Sequence, residues 1–299
     1  MSSILTDPTT RPPRSAEPAT GRPEAAAPEA VAAQRRSLVH RVGRSARAGV
    51  WRSAAVVLFL LLWEIGPQTL ITPDTRVFLP PLHVTLGAWV DLVRDGTLQT
   101  HLQASLTRSV LGFGIAVVAG ITVGLVVSWY AAVQSFLTPL LELFRNTAAL
   151  ALLPVFTLLL GIGEVSKVSI VAYAAFFPVL LNTIAGVRTV DPLLIRAARS
   201  LGLSQLRVFQ KVVLPAAVPT IFTGVRMAGT ASILVLIAAE MVGAKAGLGY
   251  LIVNSQSSFQ IPQMYAGILT VSLLGLAVNL GLVRLERHFS RWRPDATGR

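Results

Sequence analysis

Arg108, Glu142, Arg145, Arg226 and Glu240 lie at or inside long apolar stretches of this chain. A charged side chain is costly in hydrocarbon, so each must face protein, water or an interface. Arg145, Asn146 and Thr147 form the most suggestive group, a cation and two hydrogen-bonding side chains ahead of Pro154, which interrupts its apolar run. Such a group could line an aqueous path and favour a small anion, or Arg145 could snorkel or pair with another helix. Asn182 and Asn254 could contact a solute or bind across helices. Arg226 and Glu240 stand fourteen residues apart on one stretch, too far to pair with each other, so each is expected to pair with a neighbouring helix. No catalytic arrangement or cofactor site is visible. The four histidines, His40, His83, His101 and His288, lack metal-ligand spacing. The absence of cysteine excludes disulfides and thiolate chemistry.

The elements that must carry these residues follow from composition. Of 299 residues, 53% are hydrophobic and only 13% charged, with a mean hydropathy of +0.64. That is too apolar for a soluble domain and predicts an all-α integral membrane protein. Crossing a hydrocarbon core takes roughly 20 mostly apolar helical residues. Six stretches qualify: Ala54–Ile71, Val110–Ser128, a third from about Phe136 to Gly163, Val168–Val187, Ala216–Val242 and Met264–Val283. Glu64 and Pro67 make the first the weakest, and Arg226 interrupts the fifth.

Residues 1–50 hold six prolines, all by Pro28, followed by a run of arginines with no acid between Glu29 and Glu64. This predicts a disordered basic tail ahead of a transmembrane body at 51–299. The first apolar run begins too far along for a signal peptide. With six spans, nineteen Lys and Arg fall on the side that holds both termini and four on the other. That asymmetry predicts cytoplasmic termini and accounts for the net charge of +12 without nucleic acid.

Two stretches predict packing. Leu82, Leu86, Trp89, Val90 and Val93 follow a double proline at helical spacing, which gives an amphipathic helix lying on the membrane interface or packed on the protein body. Gly112, Ala116, Gly120, Gly124 and Ser128 recur every four residues, a small-residue stripe that lets helix backbones approach closely.

The segment 191–215 is too polar to enter lipid. Asp191 can cap a helix that Pro192 opens, and Gly202 permits the left-handed turn that ends it. Ser204 can cap a second helix running to Leu214, where Pro215 opens the next span. Arg196 and Arg199 share one helical face, as do Arg207 and Lys211. Ala197, Ala198 and Gly202 leave a low surface for close approach at the bend. Either this is a solvated loop supplying positive charge or it is a bracket built to dock a cytosolic partner. The alanines, the glycine and the Asp-Pro start favour the bracket.

This segment resembles the cytoplasmic Glu-Ala-Ala signature of binding-protein-dependent ABC transporter permeases. Ala197, Ala198, Gly202, Leu214 and Pro215 match in register, and Val212 replaces an isoleucine. Arg196 departs from the pattern, standing where the family prefers Glu. "FLPPLHVTLGAWVDL", "LLPVFTLLLGIGEVSK" and "AAEMVGAKAGLGYLI" are similar to the sulfonate, taurine, nitrate and bicarbonate branch, and the resemblance spans about 77–293. It implies a type I importer permease in the bacterial inner membrane, working by alternating access. The implied partners are two cytosolic ATP-binding subunits, a second permease copy in a homodimer, and an extracytoplasmic solute-binding protein. Arg196, Ala197, Ala198, Arg199, Ser200, Leu201, Gly202, Leu203 and Ser204 would form the coupling helix seated on the ATPase. Arg145, Asn146, Thr147 and Asn182 would line the solute path. The chain has no phosphate-binding Gly-x-x-x-x-Gly-Lys-Ser/Thr loop, so ATP is hydrolysed elsewhere. An ion-coupled secondary transporter is the alternative; it would need no docking bracket.

Overall fold

A computed structural model describes residues 54–69 and 76–289, and the predicted basic tail lies outside them. The chain forms two units, Met1–Leu61 and Leu62–Arg299. In the first, the described residues 54–61 are helical and exposed. In the second, every regular element among the described residues is helical.

Four helices are long and apolar enough to cross a membrane: α3 (Thr97–Trp129), α6 (Glu164–Arg188), the helical run Gln205–Glu240 and α11 (Ile261–Phe289). The expected third span is instead a bent pair. Its first part, α4 (Ala131–Arg145), ends at Arg145, and α5 (Leu153–Leu160) leaves at 86° after the 3-10 turn Ala149–Leu152. Pro154 sits in the first turn of α5, so the proline marks the new helix and the break precedes it. The expectation of six spans is therefore corrected to four such helices, or five with the bent pair, among the described residues. The first candidate forms α1 (Ala54–Thr69), which at 1.5 Å per residue reaches about 24 Å, short of a hydrocarbon core of about 30 Å.

The amphipathic stretch forms α2 (Leu82–Arg94) and packs on the body. Leu92 and Thr85 are buried, and Trp89 Nε1 donates to Thr270 Oγ1 at 3.1 Å. Leu86 and Val90 of the predicted apolar stripe remain exposed.

The core is a slab of α3, α6 and the long run ending at Glu240. The small-residue stripe makes the first contact: a Cβ on Gly120 would strike Val179, and one on Gly124 would strike Thr183, both on α6. Gly186 and Gly224 bring α6 equally close to the next helix, against Ala217 and Asn182. Ala116, Ala175, Val179, Ala217 and Ala228 fill the slab's interior. Small side chains there allow backbone-to-backbone packing, which joins the three helices along much of their length.

The bracket forms between α6 and this third helix. Asp191 accepts a hydrogen bond from Leu193 N at 2.8 Å and starts α7 (Pro192–Ser200). Gly202 adopts φ +76°, and Leu203 N reaches back to Ala198 O, closing the helix. The second arm differs from expectation. After α8 (Gln205–Val208) a π-helical turn, Phe209–Val213, runs without interruption into α9 (Leu214–Glu240). Pro215 has no amide hydrogen for the Lys211 carbonyl, and the wider turn just before it absorbs that misfit. α10 (Leu248–Ser257) then precedes α11.

Candidate functional site

Arg145 is the last residue of α4, and the kink that follows turns its surroundings into a cavity of about 450 Å³. Arg145, Thr147, Tyr173, Pro178, Asn182 and Met227 are among its lining residues. The structure thus gathers three of the four sequence-predicted path residues; Asn146 is exposed and absent from the lining. Tyr173 Oη donates to Phe144 O at 2.7 Å, pinning the end of α4 to α6. Pro178, inside α6, cannot donate to the Ala174 carbonyl, and both residues line the cavity. Irregular backbone at membrane depth is tolerated where it borders such a space. Asn182 Nδ2 donates to Pro178 O at 2.8 Å, within its own helix.

A second cavity of about 170 Å³ shares Arg145 and Leu181 with the first and extends along Thr138, Glu142 and Ile184 to Arg188, at the bracket end of α6. Arg145 therefore stands at the junction of two spaces. It has no carboxylate partner among the described residues, although Glu142 lies one turn earlier. Among the described residues no carboxylate lines the larger cavity, whose walls are otherwise mainly alanine, leucine, valine, methionine and aromatic side chains. Tyr173 and Met227 escaped the sequence reading. Tyr173 had a signal, being the lone tyrosine in the uncharged run Val168–Val187, whereas Met227 had none beyond its place beside Arg226.

Three of the remaining intramembrane charges, Arg108, Arg226 and Glu240, are paired. Arg226 meets Glu286 of α11 at 3.2 Å, and Glu240 meets Arg108 of α3 at 2.7 Å, so each reaches a neighbouring helix as expected. Arg108 is 4% exposed and also grips Glu164, the first residue of α6, while Nη1 donates to Ala246 O. Glu240 is fully buried and accepts from Ser105 Oγ and Gly249 N. His101 has a structural part as well, its Nδ1 accepting from Gly247 N at 3.1 Å. The cluster occupies the end of the slab opposite the bracket, because α3 and α6 begin there and α9 ends there.

On the bracket, Arg196, Ala197, Arg199, Ser200, Leu201, Gly202 and Ser204 are exposed, and Leu203 is half-buried. Leu201 is 80% exposed at the tip, flanked by exposed Leu193, Leu194 and Leu206. Ala198 corrects the expectation: its side chain packs inward with Val190, Val208 and Val213, and supports the bend from beneath. The inward stripe of α7 runs through half-buried Ile195 and buried Ala198, and Ala197 falls outside it. Arg196 makes no ion pair among the described residues.

Comparison with known proteins places this geometry. Residues 116–292 match the family described as binding-protein-dependent transport system inner membrane component. The taurine transport system permease protein TauC of Escherichia coli (strain K12) is 36% identical over 80% of this chain and 88% of its own length. The putative aliphatic sulfonates transport permease protein SsuC of Bacillus subtilis (strain 168) is 35% identical over 81% of this chain and 87% of its own. The inward-facing MetNI methionine ABC transporter shares the fold, with a TM-score of 0.57 at 17% identity over 64% of this chain and 95% of that one. An amino acid ABC transporter with histidines gives 0.54 at 21% identity over 68% and 97%. Such a permease works with separate ATPase and solute-binding components and hydrolyses no ATP itself. The chain belongs to the family of binding-protein-dependent transport system inner membrane components, as a multi-pass permease subunit of an ABC importer in the branch that holds the taurine and aliphatic-sulfonate permeases.

Proposed function

We propose that this permease passes a small anion, such as a sulfonate, taurine or nitrate, along the two joined cavities, with Arg145, Thr147 and Asn182 on the path. One observation carries the reading. Among the described residues Arg145 is a cation without a carboxylate partner at the junction of both cavities, while Arg108 and Arg226 are each paired. A guanidinium offers a planar fork of donors suited to an oxyanion. The relatives named for taurine and aliphatic sulfonates agree with that choice. Asn146 joins the path by following the same kink once the subunit moves. Reconstitution into vesicles with the cognate ATPase and binding protein is expected to give ATP-dependent uptake of taurine or an alkanesulfonate. Unchanged uptake by Arg145→Ala, with assembly intact, removes Arg145 from the path.

The bracket at 191–215 docks the ATPase, and its exposed leucines and arginines form the contact. Two permease copies, as a homodimer, and two ATPase subunits complete the transporter. The bent pair α4–α5 adds a fifth membrane element to the four long helices, and the basic tail at 1–50 and both termini lie in the cytoplasm. Gly202 holds φ +76°, which no bulky L-residue adopts without strain, so Gly202→Trp is expected to abolish copurification of the ATPase and uptake together. Retention of both at the original rate refutes docking through this bend.

A further inference from the structure

The connector between α9 and α10 contains no regular helix or strand. It is a series of turns containing Gly243 at φ +68° and Gly247 at φ +126°, and it exposes Met241, Val242 and Lys245. Yet side chains of α3 hold its far end at every step. His101 Nδ1 accepts from Gly247 N, Ser105 Oγ accepts from Leu248 N at 2.8 Å, and Arg108 Nη1 donates to Ala246 O at 2.7 Å. Glu240 closes the ring by accepting from Gly249 N and from Ser105. A Cβ on Gly249 would run into Ile237 O and the Glu240 side chain, so the start of α10 packs directly against the end of α9.

The same α3 is joined to α6 through Gly120 and Gly124, and α6 to α9 through Gly186 and Gly224. α6 leads directly into the bracket at Asp191, and α9 leads out of it. The bracket and the connector are thus the two ends of one packed body, about 37 Å apart along the 25 residues of α6.

We propose that Arg108, Ser105 and His101 are positioning residues for transport: they clamp the α9–α10 connector to the slab, so that a push delivered at the bracket displaces the connector at the opposite end. The surface so moved is the one a solute-binding protein would meet. This rests on the bracket as the ATPase dock. Rigid elements with two discrete arrangements are what carry such coupling, and a slack connector would dissipate it.

The chain has no cysteine, so Val242→Cys supplies a single reporter on the exposed connector. Its labelling rate by a thiol reagent is measured in the reconstituted permease–ATPase complex, without nucleotide and after trapping with ATP and vanadate. The expected result is a change of about fivefold or more on trapping, the lower range of coupling between distant sites. Adding Ser105→Ala, His101→Ala or Arg108→Lys should abolish that change while the ATPase still copurifies and hydrolyses ATP. A merely structural role would alter thermal stability and leave the nucleotide response in place. A response of undiminished size in Ser105→Ala and His101→Ala overturns the proposal, as does a parent complex whose labelling ignores nucleotide. Failure of the docking reading looks different: Gly202→Trp would then keep its ATPase, whatever the clamp variants do.

Discussion

Arg108 and Arg145 carry the same group on apolar helices of one slab-and-cavity assembly, and their surroundings are opposite. Arg108 is 4% exposed and meets two carboxylates and a backbone carbonyl. Arg145 is exposed to two cavities and meets no carboxylate among the described residues. A buried charge with four of its five donors engaged, as in Arg108, builds structure, and removing one partner strands the others. A cation with free donors beside an open cavity retains its capacity for a ligand. The difference teaches that an intramembrane arginine is assigned by its unspent hydrogen bonds, since its place in an apolar stretch is common to both uses.

Three variants test that contrast. Arg108→Ala leaves Glu240 buried without a cation and is expected to destabilise the fold by about 3–5 kcal/mol, read as a large fall in the detergent-solubilised unfolding midpoint. A midpoint near that of the parent would show that Glu240 does not depend on Arg108. Arg145→Ala should leave stability within about 0.5 kcal/mol of the parent. Its loss should appear in anion uptake, about tenfold to a hundredfold, as for hydrogen bonds to a charged group. A fold as damaged as that of Arg108→Ala would erase the distinction between the two sites. Glu164→Gln is the mildest: the carboxylate is 68% exposed and Arg108 keeps Glu240, so the cost should stay below about 1 kcal/mol in chemical unfolding. A cost equal to that of removing Arg108 would mean that the exposed carboxylate, rather than the buried one, holds the cluster.

Much of the architecture was legible in the chain. The four-residue repeat from Gly112 to Gly124 predicted close packing, and α6 lies against it. Asp191, Pro192 and Gly202 predicted the helix and its left-handed stop, which depend on neighbours within a few residues. Arg226 and Glu240, too distant to meet, were correctly sent to other helices. The 86° bend after Arg145 was foreseen only as an interruption, because Pro154 announces a break without giving its angle or its exact place. Ala198 was expected at the docking surface and lies beneath it, since the orientation of a short helix on its support is a matter of packing.

By itself, then, the sequence determined the medium this protein lives in, the existence of its long helices and the bend between two of them, because hydropathy, caps and glycine conformations act over a few residues of contiguous chain. Tertiary structure alone decided which charges are satisfied. Glu164 and Glu240 converge on Arg108 from 56 and 132 residues away, while Glu142, three residues from Arg145, forms no ion pair with it. Electrostatic satisfaction depends on distance in space and on access to water, and neither is written in distance along the chain.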